Sequence, residues 1–275
     1  MSSRWTLESI PWDRFEPEKV DHELLETVKA AALVEANSPD YVTYLCNIFA
    51  DDTDFQDAVR VWGVEEEQHG AALGRWAEMA DSDFSFRDAL EKFRKGYQLP
   101  LDATESVRWS EVGELISRCV VETGTSSFYS AIRDATDEPV LKEICRQIAT
   151  DEFFHYRLFE KHRHRYTEGG SLTIRQRLKV AFGRVAEAED DELAYAFYAA
   201  NVKDEAAHPY DRQKFALAYW RRAMSLYQFR HIETAAKMIL RAADIKSEGW
   251  FGKLSSRIAW WVVCFRTSRL KRASI

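Results

Sequence analysis

One spacing occurs twice in the chain. A lone glutamate is followed about 30 residues later by Glu-x-x-His, first as Glu35 with Glu66 and His69, then as Glu122 with Glu152 and His155. Turn-forming words lie midway in each copy, Ala50-Asp51-Asp52-Thr53 in the first and Asp134-Ala135-Thr136-Asp137-Glu138-Pro139 in the second. Two antiparallel helices bring residues to one level only when both lie equally far from the connecting turn, here roughly 15 residues, or about 22 Å at 1.5 Å per residue. Each half therefore sets its lone glutamate beside its own Glu-x-x-His pair. Positions i and i+3 share a helix face, so Glu66 with His69 and Glu152 with His155 each aim a carboxylate and an imidazole at one axis. The spacing predicts four helices around six inward-facing ligands.

A single Glu-x-x-His says little, because 26 glutamates and seven histidines in 275 residues give on the order of two-thirds of a match by chance. A third match, Glu205-Ala206-Ala207-His208, runs into Pro209-Tyr210 and has no glutamate about 30 residues upstream across a turn, so it reads as structural. The other two stand in long apolar-periodic segments, with Val61, Trp62, Val64, Ala72 and Leu73 around one and Ile144, Ile148, Phe154 and Leu158 around the other. One Glu from each of two helices with Glu-x-x-His from each of two more matches the di-iron and di-manganese carboxylate proteins of ferritin-like architecture. Carboxylates mixed with imidazoles suit iron or manganese better than zinc, which takes fewer ligands and more sulfur or nitrogen.

Composition agrees with an all-α fold. The chain is 46% hydrophobic and 30% charged, with only 11 Gly and 6 Pro, few turn residues for a β-rich protein. Helices are expected near 18–37, 54–80, 107–133 and 139–165, with a shorter piece near 85–96 and further helices over 172–186, 188–202 and 210–243. Pro39 cannot donate to the carbonyl of Glu35, so the first helix should kink or stop beside a ligand. The organisation expected is a ferritin-like four-helix bundle with a lead-in over 1–168, a helical extension over 169–248 after Gly169-Gly170-Ser171, and a distinct tail over 249–275. No C-x-x-C occurs among Cys46, Cys119, Cys145 and Cys264, which excludes a rubredoxin-type site or a zinc knuckle; Cys119 and Cys145 read as packing residues. Residues 1–20 lack an apolar signal-peptide core, and a cytoplasmic protein with reduced thiols is expected. No nucleotide-binding glycine loop is present and no nucleic-acid partner is expected.

Residues 249–275 hold six basic side chains, Lys253, Arg257, Arg266, Arg269, Lys271 and Arg272, and no acid. They carry +6 against −13 for the preceding 248 residues. The apolar run Ile258 to Phe265, with Trp260 and Trp261, is far shorter than the roughly 20 residues that span a bilayer. Two readings stand: a terminal helix docked on the acidic body, or an amphipathic helix at an anionic membrane or acidic partner.

The words around the ligands, EANSPDY from Glu35, VWGVEEEQHG from Val61, VETGTSSF from Val121 and IATDEFFHYRLF from Ile148, resemble the soluble acyl-acyl-carrier-protein desaturases, a ferritin-like di-iron family. The resemblance covers roughly residues 18–165. It extends to Trp62, four residues before Glu66, to Thr125, three after Glu122, and to Asp151, just before Glu152. By that resemblance Thr125 lies near bound oxygen, and Trp62 and Asp151 belong to the electron route and the shell around the metals. Each has a plain alternative: Trp62 as core, Thr125 bonding its own helix backbone, Asp151 as a surface charge. The family places basic residues inside the second Glu-x-x-His, where this chain has Phe153 and Phe154. This departure puts the family's donor-docking surface in question and suggests that the extension or the tail covers that face.

The resemblance implies two iron ions, O2 as co-substrate, an external one-electron donor such as a ferredoxin, and a cis double bond placed in an acyl chain carried by acyl carrier protein or coenzyme A. It also implies a homodimer. Phe128 and Phe154 are candidate lining residues for the acyl chain, and Lys161, Arg163 and Arg165 a candidate basic patch for an acidic carrier, or else cations at a helix C-terminus. A di-iron hydroxylase or N-oxygenase would use the same six ligands, and a ferritin- or rubrerythrin-like handler of iron or peroxide is a further alternative.

Overall fold

The computed structural model describes residues 4–166, 172–187 and 191–272, and among these it is all-helical. The expected break at Gly169-Gly170-Ser171 lies outside the described residues. Each of the four helices that carry the predicted ligands starts at a side chain that satisfies an otherwise unpaired amide. Asp21 accepts from Leu24 N at the head of α1 (His22–Glu35), Asp52 from Phe55 N at α3 (Thr53–Ala80), and Ser110 from Gly113 N at α5 (Glu111–Ala135). At α6 (Pro139–Arg165) the cap is Glu138, which accepts from Val140 N and Leu141 N and also takes the indole N–H of Trp76 at 2.7 Å. A fully buried carboxylate thus closes one helix and ties it to another.

Pro39 marks a stop in α1, which ends at Glu35, and α2 (Ser38–Ile48) restarts with the proline in its first turn, where its missing N–H costs nothing. The first ligand is therefore the last residue of its helix. Residues 17–19 form a separate 3-10 turn, so α1 begins at its aspartate cap rather than near residue 18. α4 (Phe86–Gly96) follows the bundle's second long helix as expected. Gly70 lets α3 press against the end of α1: a Cβ there would fall 2.6 Å from Ala36 N and 2.9 Å from Ala32 O.

The C-terminal half contributes α7 (Ile174–Glu187), α8 (Asp191–Asn201), α9 (Arg212–Ser225), α10 (Phe229–Ala242) and α11 (Gly249–Arg272). The expected single helix over 210–243 is two, broken at Leu226–Gln228 and restarted by reciprocal bonding between Gln228 and His231. Residues 191–223 are not a separate layer. Ala194, Phe197, Tyr198, Phe215 and Tyr219 join Leu25, Val28, Leu33, Leu73 and Trp76 in one apolar core. α8 lies along α1, and α10 lies along α5. Cys119 and Cys145 are buried, with burial holding both thiols well above the usual range, as inert packing residues would be. The third Glu-x-x-His lies in turns, with Glu205 exposed and paired to Lys92.

Candidate metal centre

The four long helices α1, α3, α5 and α6 bring the six predicted ligands together, all of them buried. They form two overlapping sets: Glu35, Glu66, His69 and Glu152 in one, and Glu66, Glu122, Glu152 and His155 in the other. Within each set one ligand atom from every residue lies within 4.8 Å of the rest, close enough to share a metal ion. Glu66 and Glu152 belong to both. The glutamates of the two Glu-x-x-His pairs thus sit where bridging ligands would, and the lone glutamates Glu35 and Glu122 where terminal ones would.

Both imidazoles point Nδ1 inward. His69 Nδ1 lies 3.3 Å from Glu66 and Glu152 and 3.7 Å from Glu35; His155 Nδ1 lies 3.1 Å from Glu66, 3.7 Å from Glu152 and 3.8 Å from Glu122. These two nitrogens, with Glu122 Oε1 and Glu152 Oε1, are buried without a hydrogen-bond partner. Buried polar atoms almost always find one, and unpartnered atoms on residues of both sets, His69 and Glu152 in the first and Glu122, Glu152 and His155 in the second, are the kind of donors that a cation takes.

The outward nitrogens are held by a crossed pair of carboxylates. His69 of α3 meets Asp151 of α6 through Nε2 at 3.2 Å, and His155 of α6 meets Glu65 of α3 at 2.9 Å. A carboxylate on Nε2 keeps the proton there and leaves the Nδ1 lone pair free for a metal. Asp151 is itself fixed by Trp5, whose indole N–H donates at 2.7 Å, and by Arg4, whose Nε donates at 2.6 Å. Burial works against the charge on Asp151, but the bonds from His69, Trp5 and Arg4 outweigh it and hold the carboxyl below its ordinary range. The Trp5 ring lies parallel to His69, with centroids 6.0 Å apart and 3° between planes.

Thr125 donates to Glu152 Oε2 at 2.7 Å, while the carbonyls of Val121 and Glu122 lie at 3.3 and 3.2 Å. Its hydroxyl therefore reaches a carboxylate common to both ligand sets and its own helix at once. Trp62 lies edge-on to His155 at 6.4 Å, and its indole N–H has no acceptor. The tryptophan that bonds Asp151 is Trp5, on the other histidine. Tyr129 of α5 donates a short bond to Glu35, and burial together with the Glu35 charge raises its phenol far above the ordinary value.

The ligands also divide by charge. Burial, then the charge on Glu66, pushes Glu35 well up; burial, then Glu152 and Glu66, does the same to Glu122. Glu66 and Glu152 go the other way. Burial opposes their ionisation, but hydrogen bonding with Glu35 and the imidazoles holds Glu66 down, and bonding to both histidines holds Glu152 down against the charge on Glu66. Burial also disfavours the charged forms of His69 and His155, yet the surrounding carboxylates, Asp151 foremost for His69 and Glu66 for His155, raise both. A metal entering this site must therefore displace protons from imidazoles that would otherwise hold them near neutrality. Uptake of a divalent metal is expected to release protons at pH 7, read by pH-stat titration, and affinity is expected to rise with pH through the neutral range. Binding without proton release would mean that the imidazoles are not the ligands.

Glu65, Trp5 and Tyr129 were not singled out by the sequence. Glu65 had a signal: it precedes Glu66 as Asp151 precedes Glu152, so the repeat extends to acid-Glu-x-x-His in both halves. Trp5 had none, being 146 residues from its acceptor. Three surface expectations need correction. Arg163 is buried and bonds both oxygens of Asp244 at 2.6 and 2.7 Å, so it belongs to no patch, and Arg165 is paired with Asp52 at 3.2 Å. Phe153 and Phe154 are each 42% exposed, so neither the extension nor the tail covers them, and Arg4 stacks on Phe154 at 4.2 Å. Phe154 thus faces away from any interior acyl site, whereas Phe128 is buried against Tyr129 and Tyr219. A cleft of about 250 Å³ between α5 and α10, walled by Ser126, Ser130, Arg133 and His231, includes none of the six ligands.

No protein-family model matches the chain, and no curated protein is significantly similar to it.

Proposed function

We propose that the protein is a di-iron, O2-dependent oxidase that removes two hydrogens from adjacent methylenes of a carrier-bound acyl chain. The observation that carries this reading is the pair of four-residue sets sharing Glu66 and Glu152, since a two-metal centre needs ligands common to both ions. Four carboxylates and two imidazoles, with no sulfur, favour iron or manganese. When bound, two ferrous ions supply the electrons and the coordination sites at which dioxygen is activated. The balance takes four electrons: two leave with the substrate's two hydrogens, and the other two would pass through the metal pair and be restored, with two protons, by the external donor, as dioxygen becomes two waters and one C=C forms.

The chain's own residues supply the rest. Asp151 and Glu65 orient the imidazoles; Tyr129 and Thr125 hold the carboxylates of Glu35 and Glu152 in place. Trp5, Asp151 and His69 form a hydrogen-bonded row from the protein's N-terminal segment to the centre, and this row is the route we assign to the incoming electrons. An acyl chain offers no hydrogen bonds, so its position would depend on packing. The aromatic run Tyr129, Phe128, Tyr219 and Phe197 leads away from Glu35 into the core and is the wall we assign to it.

The test is mass spectrometry of cellular acyl chains with and without the expressed protein. Chains lighter by two hydrogens support desaturation; chains heavier by one oxygen assign a hydroxylase built on the same ligands. No change in acyl chains, with dioxygen or peroxide consumed as Fe(II) is oxidised, would replace both with iron or peroxide handling. Within this reading Thr125→Val keeps shape and removes the hydroxyl. Iron should stay bound while product formed per O2 consumed falls by about tenfold, in line with losing a partner of a metal ligand. Unchanged coupling would reduce Thr125 to a packed helix residue.

A further inference from the structure

The last helix meets the body through Gly252, Ser256 and Trp260, whose ring lies edge-on to Phe229, and turns most of its other large side chains outward. α11 packs on α9 and α10. Gly252 and Ser256 are buried, and Gly252 leaves room for the turn that leads into the helix, since a Cβ there would fall 1.7 Å from Ser247 O. On the other side Trp250, Leu254, Ile258, Trp261 and Phe265 are exposed, Trp250 by 75% and Trp261 by 66%. At 3.6 residues per turn these five fall within an arc of about 80° and run about 22 Å along the helix. Lys253 and Arg257 border the stripe on one flank and Arg266 on the other, and Arg269 stacks over Phe265 at its end. The side chains of Lys271 and Arg272 lie outside the described residues.

We infer that α11 is an interfacial helix that seats the protein on an anionic lipid surface, with Trp250, Leu254, Ile258, Trp261 and Phe265 entering the headgroup boundary and the flanking cations meeting lipid charge. Charge decides the occupant. The charged side chains of the helix are all positive, on a chain whose remainder is −13, and the same helix exposes two indoles, Trp250 and Trp261. Tryptophan and cations flanking an apolar stripe are what an interfacial helix presents to a bilayer. A second copy of the chain fits poorly. A two-fold contact would set the cationic flanks of α11 against themselves. No helix among the described residues is long and apolar enough to cross a membrane, so the contact is peripheral.

The experiment is sedimentation of the full chain with vesicles of neutral phosphatidylcholine alone or mixed with phosphatidylglycerol. Binding is expected only to the mixed vesicles, with release in about 0.5 M NaCl, where screening shortens to about 4 Å. Trp250→Ser with Trp261→Ser, and separately Lys253→Glu with Arg257→Glu, should each weaken binding at least about tenfold with helical content and metal content unchanged, since all four side chains face solvent. Absence of wild-type binding to anionic vesicles overturns the inference. So does equal binding to neutral vesicles, or retention of binding by both double variants. If the wild type is a dimer that the tryptophan variant dissociates, and vesicles are ignored, the stripe is a self-association face. None of these outcomes bears on the metal ligands.

Discussion

Glu66→Ala is expected to strip both metal positions at once. Glu66 belongs to both ligand sets, so its loss leaves each position with three of its four residues, including one terminal glutamate and one histidine. Partners that merely orient a ligand are worth 10–100-fold in affinity, so a shared ligand should be worth at least about that. Purified wild-type protein should carry about two iron atoms per chain after anaerobic reconstitution, and the variant a small fraction of this. Fe(II) should raise the melting temperature of the wild type, by about 2.7 kcal/mol of stabilisation at a hundredfold excess over Kd, and should leave the variant unmoved. Retained helical circular dichroism would confirm that the variant is folded. If stoichiometric iron survives Glu66→Ala, the shared carboxylate is not a bridge. If the wild type takes zinc and refuses iron, the oxidase reading goes with it.

Asp151→Ala and Glu65→Ala should separate the two positions that Glu66→Ala removes together. Of the two imidazoles Asp151 bonds His69 and Glu65 bonds His155, so each variant frees one ring to rotate or to present the wrong nitrogen. A loss of about 10–100-fold in affinity at one position, with the other retained to first order, is the expected isotherm. Asp151→Ala should have a second effect that Glu65→Ala lacks, because the Trp5 indole loses its bond to this carboxylate, whereas Arg4 lies against both, at 2.6 Å from Asp151 and 4.0 Å from Glu65. Re-reduction of the oxidised centre by an external donor should slow in Asp151→Ala and in Trp5→Phe. In Glu65→Ala it should not. Equal re-reduction rates in all three would remove Trp5 from the electron route.

The six ligands were legible because helix geometry ties spacing to position. Glu35 and Glu66 could share a level only if Ala50 to Thr53 turned the chain, and the structure turns it there, with Asp52 capping α3. Pro39 was legible for the same local reason. What failed was non-local or depended on packing. Arg163 and Arg165 read alike in sequence, yet the helix twist buries the first against Asp244 and leaves the second near solvent. Trp62 and Trp5 are both indoles near ligand histidines, and only three-dimensional proximity distinguishes the one that bonds a carboxylate from the one whose N–H goes unpaired. The split between α9 and α10 went unread because Leu226, Tyr227 and Gln228 include neither glycine nor proline.

The crossing of Asp151 and Glu65 makes the centre sensitive to alignment. α3 holds the imidazole of one position and the steadying carboxylate of the other, and α6 does the reverse. A hydrogen bond tolerates only a few tenths of an ångström before it weakens, so a slide of either helix along its axis detunes both positions together. Val61, Val64, Phe153 and Phe154 are the exposed outer surface of these same two helices. That exposed surface therefore lies on the two helices whose mutual register sets how the two ligand sets meet.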